Sequence, residues 1–483
     1  MRFTDTFFSS RIGIIASVLF SACCYYFGNG LTGDCWFLVW VAPLPLLCVA
    51  MSNSWKATLV AAFIAYALGR MSWFSYLERV AFLVPAIILT IVPALIFAAI
   101  ILLTRWITLR TRAWYACFAF PVFCCLFEYA LIRQAPDGTA GSIAYSQMNC
   151  LPLIQVAALG GILGITFLIT LIPSALAYLY IFRNVKKQWT RVLVVTVVIA
   201  GGALSFGMMR LSQPSPGQGL QVGMAVIRED LHNTSDKPNR VKDSTAAARY
   251  VQLVDSLGAK GALVVVLPER ALSIDKQSEA AMLDTLRTVA AKRHLYLVAG
   301  YTNLRSDTER NSALLVGNAT AIPGSYNKVH LVNGLETQFT PGHGIGLFNV
   351  GAVSAGVAIC KDLDFQDYMR QYGLHHPQVL FVPAWDFAVD DWLHARMAVL
   401  RSVENGFPMV RAARIGQLTI SDCYGRVLAC ASTAQGQEAV LAGAVPLQPC
   451  ATFYTKHGDW PGIVCMAGAA WLLLLAIWKP SSL

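Results

Sequence analysis

Eight long apolar runs constrain this chain more than anything else in it. They lie near 12–28, 35–51, 57–74, 80–103, 113–132, 151–182, 191–208 and 461–478. Most reach the ~17–25 residues that a helix needs to cross ~30 Å of hydrocarbon. The run at 151–182 is longer than one crossing, which predicts an interfacial start or a tilt. The run at 12–28 follows Arg2 and Arg11 in the manner of a signal peptide, but further runs follow at once, so a retained anchor is expected. Composition agrees. Of 483 residues, 56% are hydrophobic and 13% charged, against roughly 45–50% and ~25% in soluble domains. That much apolar surface excludes a disordered chain. Thirteen cysteines in 483 residues also fall well short of the ~8–10% of a disulfide scaffold.

The net charge of +10 is distributed as membrane topology rather than as a nucleic-acid footprint. Residues 1–217 hold 14 Lys/Arg and only five acids, whereas residues 218–483 hold 23 basic and 22 acidic residues. The N-terminus and alternate loops carry Arg2, Arg11, Lys56, Arg105, Arg110, Arg112, Arg183, Lys186, Lys187, Arg191 and Lys479. The opposite short loops carry only Arg70, Arg79 and Arg133. The positive-inside rule then predicts a cytoplasmic N-terminus, an outer segment near 210–458 and a cytoplasmic C-terminus. The expected domains are a seven-span region at 1–212, an extracytoplasmic domain at 213–458, and an eighth span with a short tail at 459–483. Arg70 and Glu128 lie in or near spans, where a charge is costly and is usually paired or functional. Glu128 with Arg133 reads as a structural pair near the outer face, with contact to lipid headgroups as the other reading.

The outer segment has a different grammar. Residues 213–218, rich in Gln, Pro and Gly, read as a linker. Short apolar runs then alternate with polar helical ones: LQVGMAVI (220–227), ALVVVLPE (262–269), LYLVAGY (295–301), SALLV (312–316), SAGVAIC (354–360) and VLFVPA (379–384), with a helix at 392–405 before PMVRAA (408–413). Buried strands separated by helices predict a layered α/β or α+β domain.

Three reactive residues stand at strand ends or turns, where α/β domains build their sites. Glu269 closes VVVLPE, Cys360 closes AGVAIC, and Lys328 follows the turn signal PGSYNK. Each alone has a plain structural reading: a core cysteine, a solvated glutamate, a solvated lysine. The set of three has a chemical one. A carboxylate takes a thiol proton, and an ammonium, with the backbone N–H after the nucleophile, stabilises a tetrahedral oxyanion.

The stretches LPERA around Glu269, YNKVHLV around Lys328 and GVAIC ending at Cys360 resemble the nitrilase, or carbon–nitrogen hydrolase, superfamily. That resemblance implies a Glu-Lys-Cys triad on an αββα sandwich. Together with the apolar runs, WLHARMAVLRSVENGFPMVRAA (392–413), FEYALIR (127–133) and YSQMNCLPLIQVAALGGILGITFLI (145–169), it narrows to the apolipoprotein N-acyltransferase family. The implied architecture is an α-helical membrane bundle with a nitrilase-like domain inserted before the last of eight spans. The implied activity is transfer of an acyl chain from a phospholipid, through a Cys360 thioester, to the α-amino group of a diacylated lipoprotein. The implied place is the bacterial inner membrane, with the catalytic domain on the periplasmic side. The family carries a second essential glutamate where this chain has Glu336. No cofactor or metal is implied, and neither zinc-ligand spacing nor a phosphate-binding glycine loop occurs in the sequence.

The chain also departs from the family pattern. Lys361-Asp362 stands where Tyr-Glu is usual, Val332, Asn333, Gly334 and Leu335 replace a Pro-Phe-Gly turn, and PAWDF (383–387) replaces an Asn-Asp-rich run. Lys361 either lowers the thiol pKa, as nearby cations do, or is a solvated lysine. Asp362 either orients the site or caps a turn. Trp385 either lines an acyl pocket or packs in the core. Lys361, Asp362 and Trp385 are accordingly the expected substrate-binding residues. The rival functions are a membrane-tethered amidase with water as acceptor, an acyltransferase with another amine acceptor, and a non-catalytic lipid chaperone. Cys423, Cys430 and Cys450 allow one disulfide, whose pairing the sequence leaves open.

Overall fold

The computed structural model describes residues 6–214, 219–233, 239–305, 308–317 and 324–478; Arg2 and Lys479 of the charge argument, linker residues 215–218 and Pro323 of the turn signal lie outside the described residues. Contacts divide the chain into two compact units. One comprises Met1–Ala135, Gly141–Ser212 and His457–Leu483; the other comprises Pro136–Ala140 and Gln213–Lys456.

In the first unit, among the described residues, seven helices are long and apolar enough to cross a membrane: Arg11–Gly28, Trp55–Ala81, Leu83–Thr111, Trp114–Gln134, Ala157–Ile181, Lys186–Leu211 and Trp460–Trp478. They turn apolar side chains outward. Leu83, Val84, Ile87, Ile88, Val92 and Leu95 are all exposed along a single helix, a stripe that hydrocarbon accepts and water does not. The protein is therefore a multi-pass membrane protein. The expected span at 35–51 is broken into a 3-10 turn, Trp36–Trp40, and a nine-residue helix, Leu44–Ser52. Pro43 and Pro45 explain the break, since neither has an N–H to bond back along a continuous helix. Nine residues rise only ~14 Å. The long run at 151–182 is also interrupted: Leu151–Ile154 is separate, and Gly160 and Gly161 leave helical geometry within Ala157–Ile181.

The expected Glu128–Arg133 pair does not form. Glu128 instead accepts from Ser142 Oγ at 3.0 Å, the Ile143 N–H at 2.8 Å and Thr166 Oγ1 at 2.5 Å. Arg133 lies 3.6 Å from Asp459. Residues five apart on a helix point in different directions, whereas those three or four apart share a face.

Among the described residues, the second unit is built on twelve strands. β1 (Gly219–Val226), β2 (Val264–Asp275), β3 (Tyr296–Leu304), β4 (Arg310–Val316) and β5 (Gly324–Asn327) join β12 (Ala439–Pro446) in one sheet, ordered β12-β1-β2-β3-β4-β5. The other sheet runs β11 (Val427–Ser432), β10 (Gln417–Ser421), β9 (Met409–Ala413), β8 (Val379–Ala384), β7 (Val353–Val357), β6 (Gly346–Val350). Strand periodicity explains the layering. Val264 and Val266 face the core between the sheets, with Val357, Phe381 and Val410 opposite. Val265 and Leu267 face Tyr250, Leu257, Leu286 and Val289 of helices Arg240–Ala259 and Glu279–Arg293. On the far side, Leu380, Val382 and Met409 pack on Met369 and Tyr372 of Gln366–His375 and on Ala398 of Asp391–Asn405. Strands apolar on both faces need a helix layer on each outer face, and the result is the expected αββα sandwich. Cys423 is joined to Cys450 by a disulfide, and Cys430 is an exposed free thiol.

Candidate active site

The register between β2 and β3 shifts between Leu267 and Leu272, and Glu269 lies in that irregular stretch. Bulges re-aim side chains. Here the bulge is seated against Gly300, where a Cβ would come within 2.2 Å of the Pro268 carbonyl oxygen. The next residue, Arg270, adopts φ +52°. Glu269 is 3% exposed and Lys328, just past β5, is 1% exposed. Lys328 is fixed by its own backbone, donating N–H to Asn311 O at 2.9 Å and accepting from Gly342 N–H at 2.8 Å.

Lys328 Nζ contacts Glu269 Oε1 at 2.7 Å and Glu336 Oε2 at 2.8 Å. Asn311 Nδ2 donates to Glu269 Oε1 at 2.5 Å and to Glu336 Oε1 at 2.6 Å. The Val332 N–H adds a 2.7 Å bond to Glu336 Oε2. The two carboxylates are thus bridged twice, once by an ammonium and once by a neutral amide. Sequence reasoning found Glu269, Lys328 and Glu336 but missed Asn311. Its only sequence signal was a polar Asn-Ser pair opening the apolar strand RNSALLV.

Environment pushes the two carboxylates apart. Burial raises Glu269, and Glu336 adds to the rise against the opposing pull of Lys328 and Asn311. Burial acts on Glu336 in the same sense, but Lys328, the Val332 N–H and Asn311 outweigh it and hold that carboxyl below its ordinary value. Burial works against the Lys328 ammonium, yet Glu269 and Glu336, with Cys360, hold it well above the usual lysine range. Carboxyl groups separated in this way take different roles, one able to carry a proton and one staying ionised.

β7 continues through Ala358 and Ile359, both fully buried, to Cys360, which adopts φ +43° and opens a 3-10 turn, Cys360–Asp364. The half-buried thiol donates to the Trp385 carbonyl at 3.5 Å. Burial pushes the thiol well up; Glu269 and Asp386 push the same way, and Lys328 and Arg411 oppose them. Glu269 and Lys328 therefore lie within electrostatic reach of the sulfur.

Of the other three expected site residues, Asp362 and Lys361 are engaged by partners outside the triad, and Trp385 meets the thiol through its carbonyl. Asp362 is fully buried; Oδ2 accepts from Tyr326 OH at 2.6 Å and the Ile359 N–H at 3.0 Å, and Oδ1 from the Val329 N–H at 3.2 Å and the His330 N–H at 2.9 Å. It ties the nucleophile turn to the segment carrying Lys328 and has no face left for substrate. Lys361 is 7% exposed and pairs with Asp137 at 2.5 Å, so it is not a solvated lysine. Trp385 is half-buried, with Arg414 at 4.0 Å and Arg270 at 5.5 Å from its ring centroid. Its neighbour Asp386 forms a buried pair with Arg411. Among the described residues, no group of three His, Cys, Asp or Glu side chains could hold a metal ion.

Comparison with known proteins finds matches in both parts of the chain. A family model described as carbon-nitrogen hydrolase matches residues 222–454, and one described as apolipoprotein N-acyltransferase N-terminal domain matches residues 21–176. A protein named apolipoprotein N-acyltransferase from Geobacter metallireducens is 28% identical over 402 residues, covering 75% of this chain and 74% of its own. One of the same name from Shewanella oneidensis is 26% identical over 431 residues, covering 80% and 78%. Another from Haemophilus ducreyi is 26% identical over 351 residues, covering 65% and 67%. An amidase crystal structure from Nesterenkonia sp. has 16% identity and TM-score 0.43, over 51% of this chain and 97% of that one. With a matching family model in each part of the chain and similar proteins spanning both, the chain belongs to the apolipoprotein N-acyltransferase family of the carbon–nitrogen hydrolase superfamily.

Proposed function

We propose that this protein moves an acyl chain from a membrane phospholipid onto Cys360 as a thioester, and from there onto the α-amino group of the N-terminal diacylglyceryl-cysteine of lipoproteins. The proposed setting is the bacterial inner membrane, with residues 213–458 on the periplasmic side. The observation that carries the reading is the double bridge joining Glu269, Lys328 and Glu336 within electrostatic reach of Cys360.

In this reading the resting thiol is protonated, because its surroundings raise its pKa. Glu269 removes the S–H proton as sulfur attacks the ester carbonyl. Lys328 has three N–H donors, of which two contact carboxylates, so a third can face the developing oxyanion together with the Lys361 N–H. Collapse breaks the ester C–O bond, and Glu269 returns the proton to the departing lysophospholipid alkoxide. In the second half, the amine attacks the thioester, Glu269 takes its proton, the C–S bond breaks, and the thiolate recovers the proton. Glu336 remains ionised and holds Lys328. General acid–base catalysis of this kind contributes ~10²–10⁴-fold.

The test is intact-mass analysis of purified protein in phospholipid micelles. An acyl mass on Cys360 that persists with phospholipid alone, and leaves as an amide when a lipopeptide with a free N-terminal amine is added, is the expected result. Rapid discharge to free fatty acid, indifferent to the lipopeptide, would mark a hydrolase. Absence of any acyl mass would remove the enzyme reading.

A further inference from the structure

Lys361 stands where the family usually has tyrosine, and its side chain leads to an unexpected partner. Asp137 belongs to Pro136–Ala140, a segment that lies in sequence between the apolar helices Trp114–Gln134 and Ala157–Ile181 yet packs as part of the second unit. Three consecutive residues of this segment hold the nucleophile turn. Asp137 pairs with Lys361 Nζ at 2.5 Å. The Thr139 N–H and Oγ1 both donate to the Asp364 carbonyl at 2.8 Å, and Arg401 Nη2 reaches Thr139 Oγ1 at 3.3 Å. Gly138, at φ +59°, approaches so closely that a Cβ would sit 2.4 Å from the Asp364 carbonyl oxygen.

The five-residue turn is therefore gripped at two points by one strap, at Lys361 near its start and at Asp364 at its end. Asp362 anchors the turn separately, through Tyr326, Val329 and His330. Cys360 itself sits at φ +43°. A non-glycine residue stays in that region only where its surroundings over-determine it. Asp362 fixes the strand side of the turn through the Ile359 N–H. The peptide unit after Cys360, whose N–H belongs to Lys361, has its side-chain anchor at Asp137.

We propose that Asp137 is a positioning residue for acyl transfer. By holding the Lys361 ammonium it fixes the Cys360–Lys361 peptide in the orientation that the tetrahedral oxyanion needs, so that a segment far outside 213–458 completes the site. The proposal rests on the thioester reading above. The Asp137 side chain is 50% exposed and that of Lys361 8%, so truncating Asp137 opens the Lys361 ammonium to the water that the carboxylate now meets, and should perturb rate more than folding.

The experiment uses the full-length protein in phospholipid micelles and follows two reactions at Cys360 by mass spectrometry. One is acylation by phospholipid, which passes through an oxyanion. The other is alkylation by iodoacetamide, which does not. Asp137→Ala should slow acylation about 10–100-fold, the scale of a misplaced oxyanion donor, with unchanged KM for phospholipid, near-normal alkylation and little change in Tm. Asp137→Glu should retain most of the rate. The charge-exchanged double variant, Asp137→Lys with Lys361→Asp, should acylate faster than either single change. Wild-type acylation in Asp137→Ala would overturn the proposal. So would a parallel fall in acylation and alkylation, which would mean that the strap merely holds the thiol. A wild-type protein that alkylates but never acylates would sink the thioester reading itself, and this proposal with it.

Discussion

Asn311 donates a 2.5 Å hydrogen bond to the same Glu269 oxygen that Lys328 contacts at 2.7 Å. Its other contact, 2.6 Å to Glu336, makes it the neutral half of the bridge between two buried carboxylates. Its own Oδ1 is buried without a hydrogen-bond partner, a cost of ~1–3 kcal/mol. The cluster tolerates that cost to keep the NH2 group facing the acids. Asn311→Asp would replace two donors by a third carboxylate, and Glu269 would rise further. The acid limb of the pH–rate profile for Cys360 acylation should then shift to higher pH, with a roughly 10–100-fold loss near neutrality. A rate loss with the profile unmoved would show that Asn311 only supports packing.

Glu269→Gln should abolish thioester formation while leaving the protein folded, because a neutral amide of the same shape can still accept from Lys328. The expected loss is ~10²–10⁴-fold. Lys328→Ala should also abolish it, at a further cost of about 3–5 kcal/mol in stability, because it leaves buried carboxylates unpaired. Acyl mass on Cys360 together with Tm separates the two effects. Near-normal turnover in either variant would refute the assigned roles.

His394 tests the polar layer beneath the nucleophile turn. Burial opposes its charge, but Asp390 at 2.6 Å, with Asp364 and Asp386, raises its pKa to about 9. A raised folded-state pKa stabilises fully below the unfolded value of about 6.5 and loses that contribution as pH climbs through the folded one. Wild type should therefore exceed His394→Gln in stability by on the order of 2–3 kcal/mol at pH 6. The gap should close between about pH 6.5 and 9. Paired Tm measurements across that range check it; a constant gap would contradict the ion pair.

Topology has its own test. The loop asymmetry predicts that reporters fused after Gly217 and after Leu483 report opposite sides of the membrane. That pair tests the last crossing; the broken segment Trp36–Ser52 is tested by a reporter at the N-terminus against the one after Gly217, because a segment that failed to cross would put those two on the same side. Reporters on the same side would reject the eight-span arrangement.

The sequence by itself determined what local chemistry and periodicity control. Apolar length specified the membrane helices, and short apolar runs specified β1 to β4 and β7 to β9. Glu269, Lys328 and Cys360 were visible because each ends an apolar run or follows a turn signal, although Glu269 lies at a bulge inside β2 rather than at its end. β5, β6, β10, β11 and β12 were not recognised, because their runs lie among turns and carry no strong alternation of charge. Only the tertiary structure decided the partners. A five-residue offset separates Glu128 from Arg133 on the helix, and the carboxylate goes to Ser142 and Thr166 instead. Asp362 reads as a possible site residue until Tyr326, 36 positions away, is found donating to it. Lys361 reads as solvated until Asp137, 224 positions away, is found beside it. Hydrogen bonds and ion pairs act over ~3 Å, and which polar groups come that close is set by how the layers stack, information that no local stretch of chain contains.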